Sequence, residues 1–309
     1  MISSIFEKTK PFNFIILLVF LFLFYWSVQF YLLNFSISDI EIVPSIGILT
    51  ILLFSVFVVD FVVKRNKLTG TNSFAILFFV LLFVVFPETL GDSKAIFTSF
   101  FLLLAMRRLL SIKSLKNIKL KIFDASLWIC ISSIFYEWAL LYLLLVLAAI
   151  YIYDPKNIRN WLVLLSAGFC FIMILYGILV LLDKTPFLLS HYDFHIDYDA
   201  LVPIKWWTSI KMSLYAIINI ALAFSTFIHL GKAGMGKVIV MRLVALSFII
   251  GLVVNVLVTS ENTNAVMITF FPSVVFIVNH LQSIKKPKFL ELVLISSILV
   301  PLIVFITKV

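Results

Sequence analysis

The chain has 309 residues, 63% of them hydrophobic and only 13% charged, with a net charge of +9 and a mean hydropathy of +1.18. Soluble domains sit near half apolar and a quarter charged, so this composition excludes an ordinary soluble protein. It also turns the basic excess from a nucleic-acid signal into a membrane-topology signal.

Apolar runs recur along the whole chain and carry no period-2 alternation, which excludes a transmembrane barrel and predicts an all-α, polytopic helical bundle. In chain order the predicted spans are 12–33, 44–63, 73–90, 94–110, 122–136, 138–153, 160–182, 207–230, 238–258, 263–281 and 289–307, about eleven, forming one integral membrane domain over 1–309. The N-terminal apolar stretch is too long for a signal peptide and no small-residue cleavage site follows it, so it is read as a retained first span. Cys130 and Cys170 fall inside spans and are read as small core residues.

The run Ile122 to Tyr153 poses the main topological question. Basic loops flank it on both sides, Arg107, Arg108, Lys113, Lys116, Lys119 and Lys121 before it, Lys156 and Arg159 after it. Both flanks belong on the cytoplasmic side, and one straight helix cannot begin and end there. The expectation is a hairpin of two short helices at 122–153 with Glu137 at its outer tip, between the interfacial residues Tyr136 and Trp138; the alternative is one long tilted helix with Glu137 buried. With the N-terminus cytoplasmic, this arrangement puts 19 of the 24 basic residues inside.

The same topology gathers 10 of the 15 acids on the outer side, although the positive-inside rule does not require it. Asp39 and Glu41, two apart in the first outer loop, form a carboxylate pair able to act as a general base or to ligate a cation. Glu88, Asp92 and Lys94 follow Pro87 in the second outer turn. The longest outer segment alternates His191, Asp193, His195, Asp197 and Asp199 with Tyr192, Phe194, Ile196 and Tyr198, then reaches Lys205, Trp206, Trp207 and Lys211. Its His and carboxylate groups make a divalent cation a candidate cofactor, although the spacing matches no specific metal motif. Lys205 and Lys211 are placed to meet a lipid phosphate. Glu261 lies in a fourth outer turn. On the inner side, Asp60 is expected to pair with Lys64 and Asp124 with Lys121. The glycine-rich "GKAGMGK" lacks Walker spacing and a preceding strand, so nucleotide binding is discounted.

Three features together resemble the C-type membrane glycosyltransferases, which use lipid-linked sugar donors. They are the acids after the first span (Asp39, Glu41), the acids of the second outer turn (Glu88, Asp92), and the pattern "KIFDASLWICISSIFYEWALLYLLLVLAAIYIYDPKNIRNW" returning to a basic corner. The resemblance implies Asp39, with Glu41 beside it, as catalytic base. It also implies a donor-binding set of Glu88, Asp92, Lys94, Glu137, His191, Asp193, His195, Lys205 and Lys211, with membrane lipid and polyprenyl-phosphate sugar as partners. The first outer loop is shorter than that family usually carries. Residue usage is also similar to a polytopic family of Bacteroidota with no assigned activity, which implies the bacterial inner membrane. Two other classes remain open: a non-catalytic membrane subunit of a cell-envelope or secretion complex, and a lipid or small-solute transporter, which would need a continuous polar path across the bilayer.

Overall fold

The computed structural model describes residues 2–8, 10–33, 42–194, 206–230, 234–258 and 265–307. Among these the chain forms helices and connecting turns, without strands. The helices are α1 (Ile2–Phe6), α2 (Pro11–Ser27, prolonged by a π turn, Val28–Leu32), α3 (Ile42–Asn66), α4 (Phe74–Val85), α5 (Ser93–Leu110), α6 (Ile118–Ser132), α7 (Leu143–Tyr153) and α8 (Ile158–Leu181). They continue as α9 (Phe187–His191), α10 (Trp206–Leu230), α11 (Met235–Leu257), α12 (Phe270–Ser283) and α13 (Pro287–Ile306). Short 3-10 turns stand at Pro87–Gly91, Ser111–Ser114, Glu137–Tyr142 and Ala265–Thr269.

Eight of the resulting segments are long and apolar enough to cross a membrane, as in a multi-pass membrane protein. Three of the eleven predicted spans are shorter: α4, α6 and the Glu137–Tyr153 segment. The predicted third span, 73–90, is cut at Phe86 because Pro87 cannot donate to the helix ladder, and a 3-10 turn replaces the last helical turn.

Burial sorts these helices in a way their composition does not. α4 reads FAILFFVLLFVV, apolar on every side, and each residue from Phe74 to Val84 is buried. A helix that is hydrophobic all round belongs inside the bundle or against lipid, and α4 takes the first place, against α12, α3, α13 and α2. The Ala265–Ser283 segment is likewise largely buried, and Phe79, Phe83 and Phe86 of the α4 region meet Phe270 ring to ring. α13, also apolar enough to cross a membrane although it carries Lys288 and Glu291, buries only Leu294 and Phe305 and turns Phe289, Leu292 and Ile303 outward. α8 and α10 similarly expose most of their apolar surface, as lipid-facing helices do.

The 122–153 run is two helices. α6 ends at Ser132, hydrogen-bonded turns over 133–136 reverse the chain, and a 3-10 turn opening at Glu137 leads into α7. α7 packs on α6 and reaches back to the Ser111–Ser114 turn that precedes α6, so the pair is a hairpin. It differs from the expectation at its first end, where α6 begins at Ile118, inside the basic loop. Several of that loop's lysines also have structural roles. Lys113 Nζ donates to the carbonyl of Asn66 at 2.7 Å, satisfying the last residue of α3, and Lys121 Nζ donates to Ser111 O at 2.6 Å. Lys121 is therefore not the partner of Asp124; Arg108, one helix away on α5, holds that carboxylate at 2.9 Å. The Asp60–Lys64 pair forms as expected, at 2.7 Å. Cys130 is buried against Phe171, Leu175 and Leu179, and Cys170 is half-buried.

Candidate functional site

Glu88 and Asp92 are positioned by a break in the chain's helicity. Pro87 ends α4, and Thr89 Oγ1 donates to Phe86 O at 2.7 Å, fixing the 3-10 turn. Asp92 then caps α5: its Oδ1 accepts from Ala95 N at 3.1 Å, while Oδ2 accepts the hydroxyl of Tyr136 from the hairpin tip. The end of α2 braces the same turn. Gln29 Nε2 donates to Leu90 O at 3.2 Å, and Leu33 lies so close to Gly91 that a Cβ there would come within 2.9 Å of its Cδ1.

Glu88 faces α10. Its Oε2 lies 3.1 Å and its Oε1 3.3 Å from Lys211 Nζ, and that ammonium also sits 4.5 Å from the centre of the Phe86 ring. The cation is thus held by a carboxylate and by a π face together. One turn further along α10, Tyr215 packs edge-on against Phe86 and bonds Thr269 Oγ1 at 2.9 Å and Ser273 Oγ at 2.5 Å. Lys211 and Tyr215 therefore tie α10 to both buried helices, α4 and α12.

The hairpin tip adds a third group. Glu137 is half-buried in the first turn of its 3-10 helix, where the unsatisfied N–H groups favour a negative charge. His191 Nε2 bonds Ser133 O at 2.8 Å; a carbonyl only accepts, so this nitrogen carries the proton. The His191 ring stacks on Phe187 at 4.7 Å, Tyr192 shares a 2.9 Å hydrogen bond with Ser133 Oγ, and Trp138 meets Phe194. Burial raises the Tyr192 hydroxyl above its ordinary pKa, with the charge of Glu137 a lesser cause.

Of the candidates read from sequence, Glu88 meets Lys211, and Asp92, four residues on, is joined through Tyr136 to the tip that holds Glu137 and His191. Lys94, on the first turn of α5, is exposed and makes no ion pair among the described residues. Asp193 is exposed. Asp39, Glu41, His195, Asp197, Asp199, Lys205 and Glu261 lie outside the described residues. Among the described residues no three His, Cys, Asp or Glu side chains converge on a point that could hold a metal ion.

The sequence reading missed Phe86, Tyr215 and the bonding role of Tyr136. The four-residue spacing of Lys211 and Tyr215, which puts them on one helical face, was the available signal for one of them. Comparison with protein-family models, with curated proteins and with solved structures found no match for this chain.

Proposed function

We propose that the chain crosses the bacterial inner membrane eleven times, with its N-terminus cytoplasmic, and that the cluster around Lys211 is an outward-facing site for a polyprenyl-phosphate-linked sugar. Two features support eleven crossings. α4 is enclosed by protein on all sides, so its ends can lie within the bilayer without exposing backbone to lipid. The hairpin returns to the basic end.

The observation that carries the site is Lys211 itself, a cation at a bundle end, fixed against Glu88 and Phe86 beside a second carboxylate and a tyrosine hydroxyl. Such a fixed cation is suited to meet a phosphate leaving group. In the proposed transfer a carboxylate takes the acceptor's hydroxyl proton while the acceptor oxygen attacks the anomeric carbon. The bond from that carbon to the phosphate oxygen breaks, and its electron pair leaves on the phosphate, opposite Lys211. The base is Asp39, on the resemblance, with Glu41 beside it. The test is release of labelled sugar from undecaprenyl-phosphate-linked glucose by the purified protein in nanodiscs, with water as the acceptor hydroxyl. Asp39→Asn is expected to lower the rate at least a hundredfold and Lys211→Met at least tenfold. No release by the unmodified protein, or equal rates in all three, overturns the reading.

A second reading, passage of a small solute, has one observation of its own. Lys211, Tyr215, Asn219, Thr226 and His229 follow one face of α10, and α12, which packs against α10, has Thr269 at its N-cap and carries Ser273 and His280. Asn219 is buried mid-helix, with an Oδ1 that has no hydrogen-bond partner among the described residues. Such a seam approaches the polar path a transporter needs. Asn219→Leu separates the two readings, since it should abolish solute flux into proteoliposomes and leave sugar release intact.

A further inference from the structure

At the end of α10 remote from Lys211, a cavity of about 130 Å³ opens between the last turns of α10 and α12 and the first turn of α11. A single water needs only ~10–15 Å³ on the same measure, so a group of phosphate size has room. Lys211 and His229 stand roughly 27 Å apart along one helix, and the cavity is therefore separate from the cluster described above.

Its lining has one sign of charge. Lys237, His229 and His280 reach it, and no carboxylate lines it. Lys237 makes no ion pair among the described residues. His229 Nδ1 bonds Ser225 O at 2.8 Å; the carbonyl can only accept, so Nδ1 holds the proton and Nε2 is left uncommitted by that bond. His280 Nδ1 bonds Ser225 Oγ at 3.2 Å, which likewise leaves its Nε2 available. One serine therefore orients both imidazoles.

The frame behind these rings is fixed. Asn279 Nδ2 donates to Leu68 O at 3.0 Å and to Val275 O at 2.7 Å, and Gln282 Oε1 accepts from Gly70 N at 3.0 Å. The Leu68 and Gly70 bonds pin the end of α12 to the turn between α3 and α4, so His280 sits on a rigid wall, with His229 of α10 tied to it through Ser225.

We propose that this cavity is a second binding site, for a phosphate group, held by Lys237 and by the Nε2 atoms of His229 and His280. The chemistry is common to two sources, a soluble phosphate and the headgroup of an anionic phospholipid. Lys237 supplies the positive charge. His280 Nε2 donates when its Nδ1 accepts the Ser225 hydroxyl, and His229 Nε2 donates once the ring takes up a second proton as the anion binds, while the phosphate returns acceptor oxygens and negative charge. The site does not depend on the sugar-transfer reading, and its failure would leave that reading untouched.

The chain has four histidines, so ¹³C,¹⁵N-histidine NMR of the full-length protein in nanodiscs reads the cavity directly. In phosphatidylcholine discs, inorganic phosphate titrated against sodium chloride of equal ionic strength should shift the His229 and His280 signals saturably and leave His191 unmoved. Assignment comes from His229→Gln and His280→Gln. Shifts that need phosphatidylglycerol in the disc, and that free phosphate does not produce, assign the site to a lipid headgroup. Lys237→Gln should weaken either response at least tenfold with the His191 signal unchanged, which shows that the fold is intact. Absence of a saturable shift with both phosphate and phosphatidylglycerol, or a response that Lys237→Gln leaves unaltered, overturns the proposal.

Discussion

The two ends of α10 carry similar residue types and treat them differently. At one end Lys211 is closed off, with a carboxylate on one side and an aromatic face on the other. At the other end Lys237 and two histidines surround open space with no carboxylate among them. The first arrangement holds the cation in one fixed orientation beside the turn that ends α4, as the proposed transfer requires of a group that meets a leaving phosphate. The second leaves a lysine without an ion pair among the described residues facing a cavity. A basic residue near a membrane boundary is thus not one kind of feature: its neighbours decide how rigidly its charge is presented to a ligand.

The largest effect expected at the closed end comes from Asp92, which both caps α5 and accepts from Tyr136. Asp92→Ala should destabilise the protein by about 1–3 kcal/mol, because a helix cap and a buried hydrogen bond go together. Asp92→Asn, which keeps an acceptor for Ala95, should lose less. Unfolding in mild detergent checks the order, and equal losses would mean that the Tyr136 bond, not the cap, is the whole contribution. Next comes the ion pair. A double-mutant cycle of Glu88→Gln with Lys211→Met should give a coupling of about 0.5–1 kcal/mol, discounted for partial exposure of both side chains. A coupling of zero would erase the contrast between the two ends.

Tyr192 gives a smaller, pH-dependent term. Its hydroxyl pKa is raised by folding, so the stabilisation it represents is present in full below about 10, the unfolded value, and is lost as pH rises through the folded value. Tyr192→Phe should therefore shallow the alkaline loss of stability, and a melting series from pH 8 to 11 would show it. The smallest effect belongs to the open end. Lys237→Gln should change stability by no more than about 0.5 kcal/mol, as for an exposed side chain with no ion pair. A larger loss would place Lys237 in the scaffold after all.

Much of the architecture was legible beforehand, because it follows from the solvent. Apolar runs of bilayer length must be helical to satisfy their backbones, and charge bias in the loops orders them. Basic residues on both sides of 122–153 led to the hairpin, and the turn at 133–136 is where the reversal occurs. Glu137, which looks like a costly charge inside one long helix, opens the second helix of that hairpin and is only half-buried. Partner choice was less legible. Asp124 was expected to take Lys121, its neighbour in sequence, and takes Arg108 from α5 instead. Lys121 was already committed to the carbonyl of Ser111. Local spacing reveals pairs within a helix, such as Asp60 with Lys64, and is silent about pairs between helices.

The sequence by itself determined that this is an all-α chain of apolar helices, where most of them begin and end, and that its acids and bases separate into different loops. These follow from hydropathy, proline and charge, each of which acts over a few residues. Only the tertiary structure decided that α4 is core while α13, also apolar enough to span a bilayer, is periphery, that Asp92 meets Tyr136, and that two histidines and a lysine share a cavity. In a bilayer, lipid is as apolar as a leucine side chain, so hydrophobicity cannot rank one helix face above another. Packing and hydrogen bonding between distant segments make that choice.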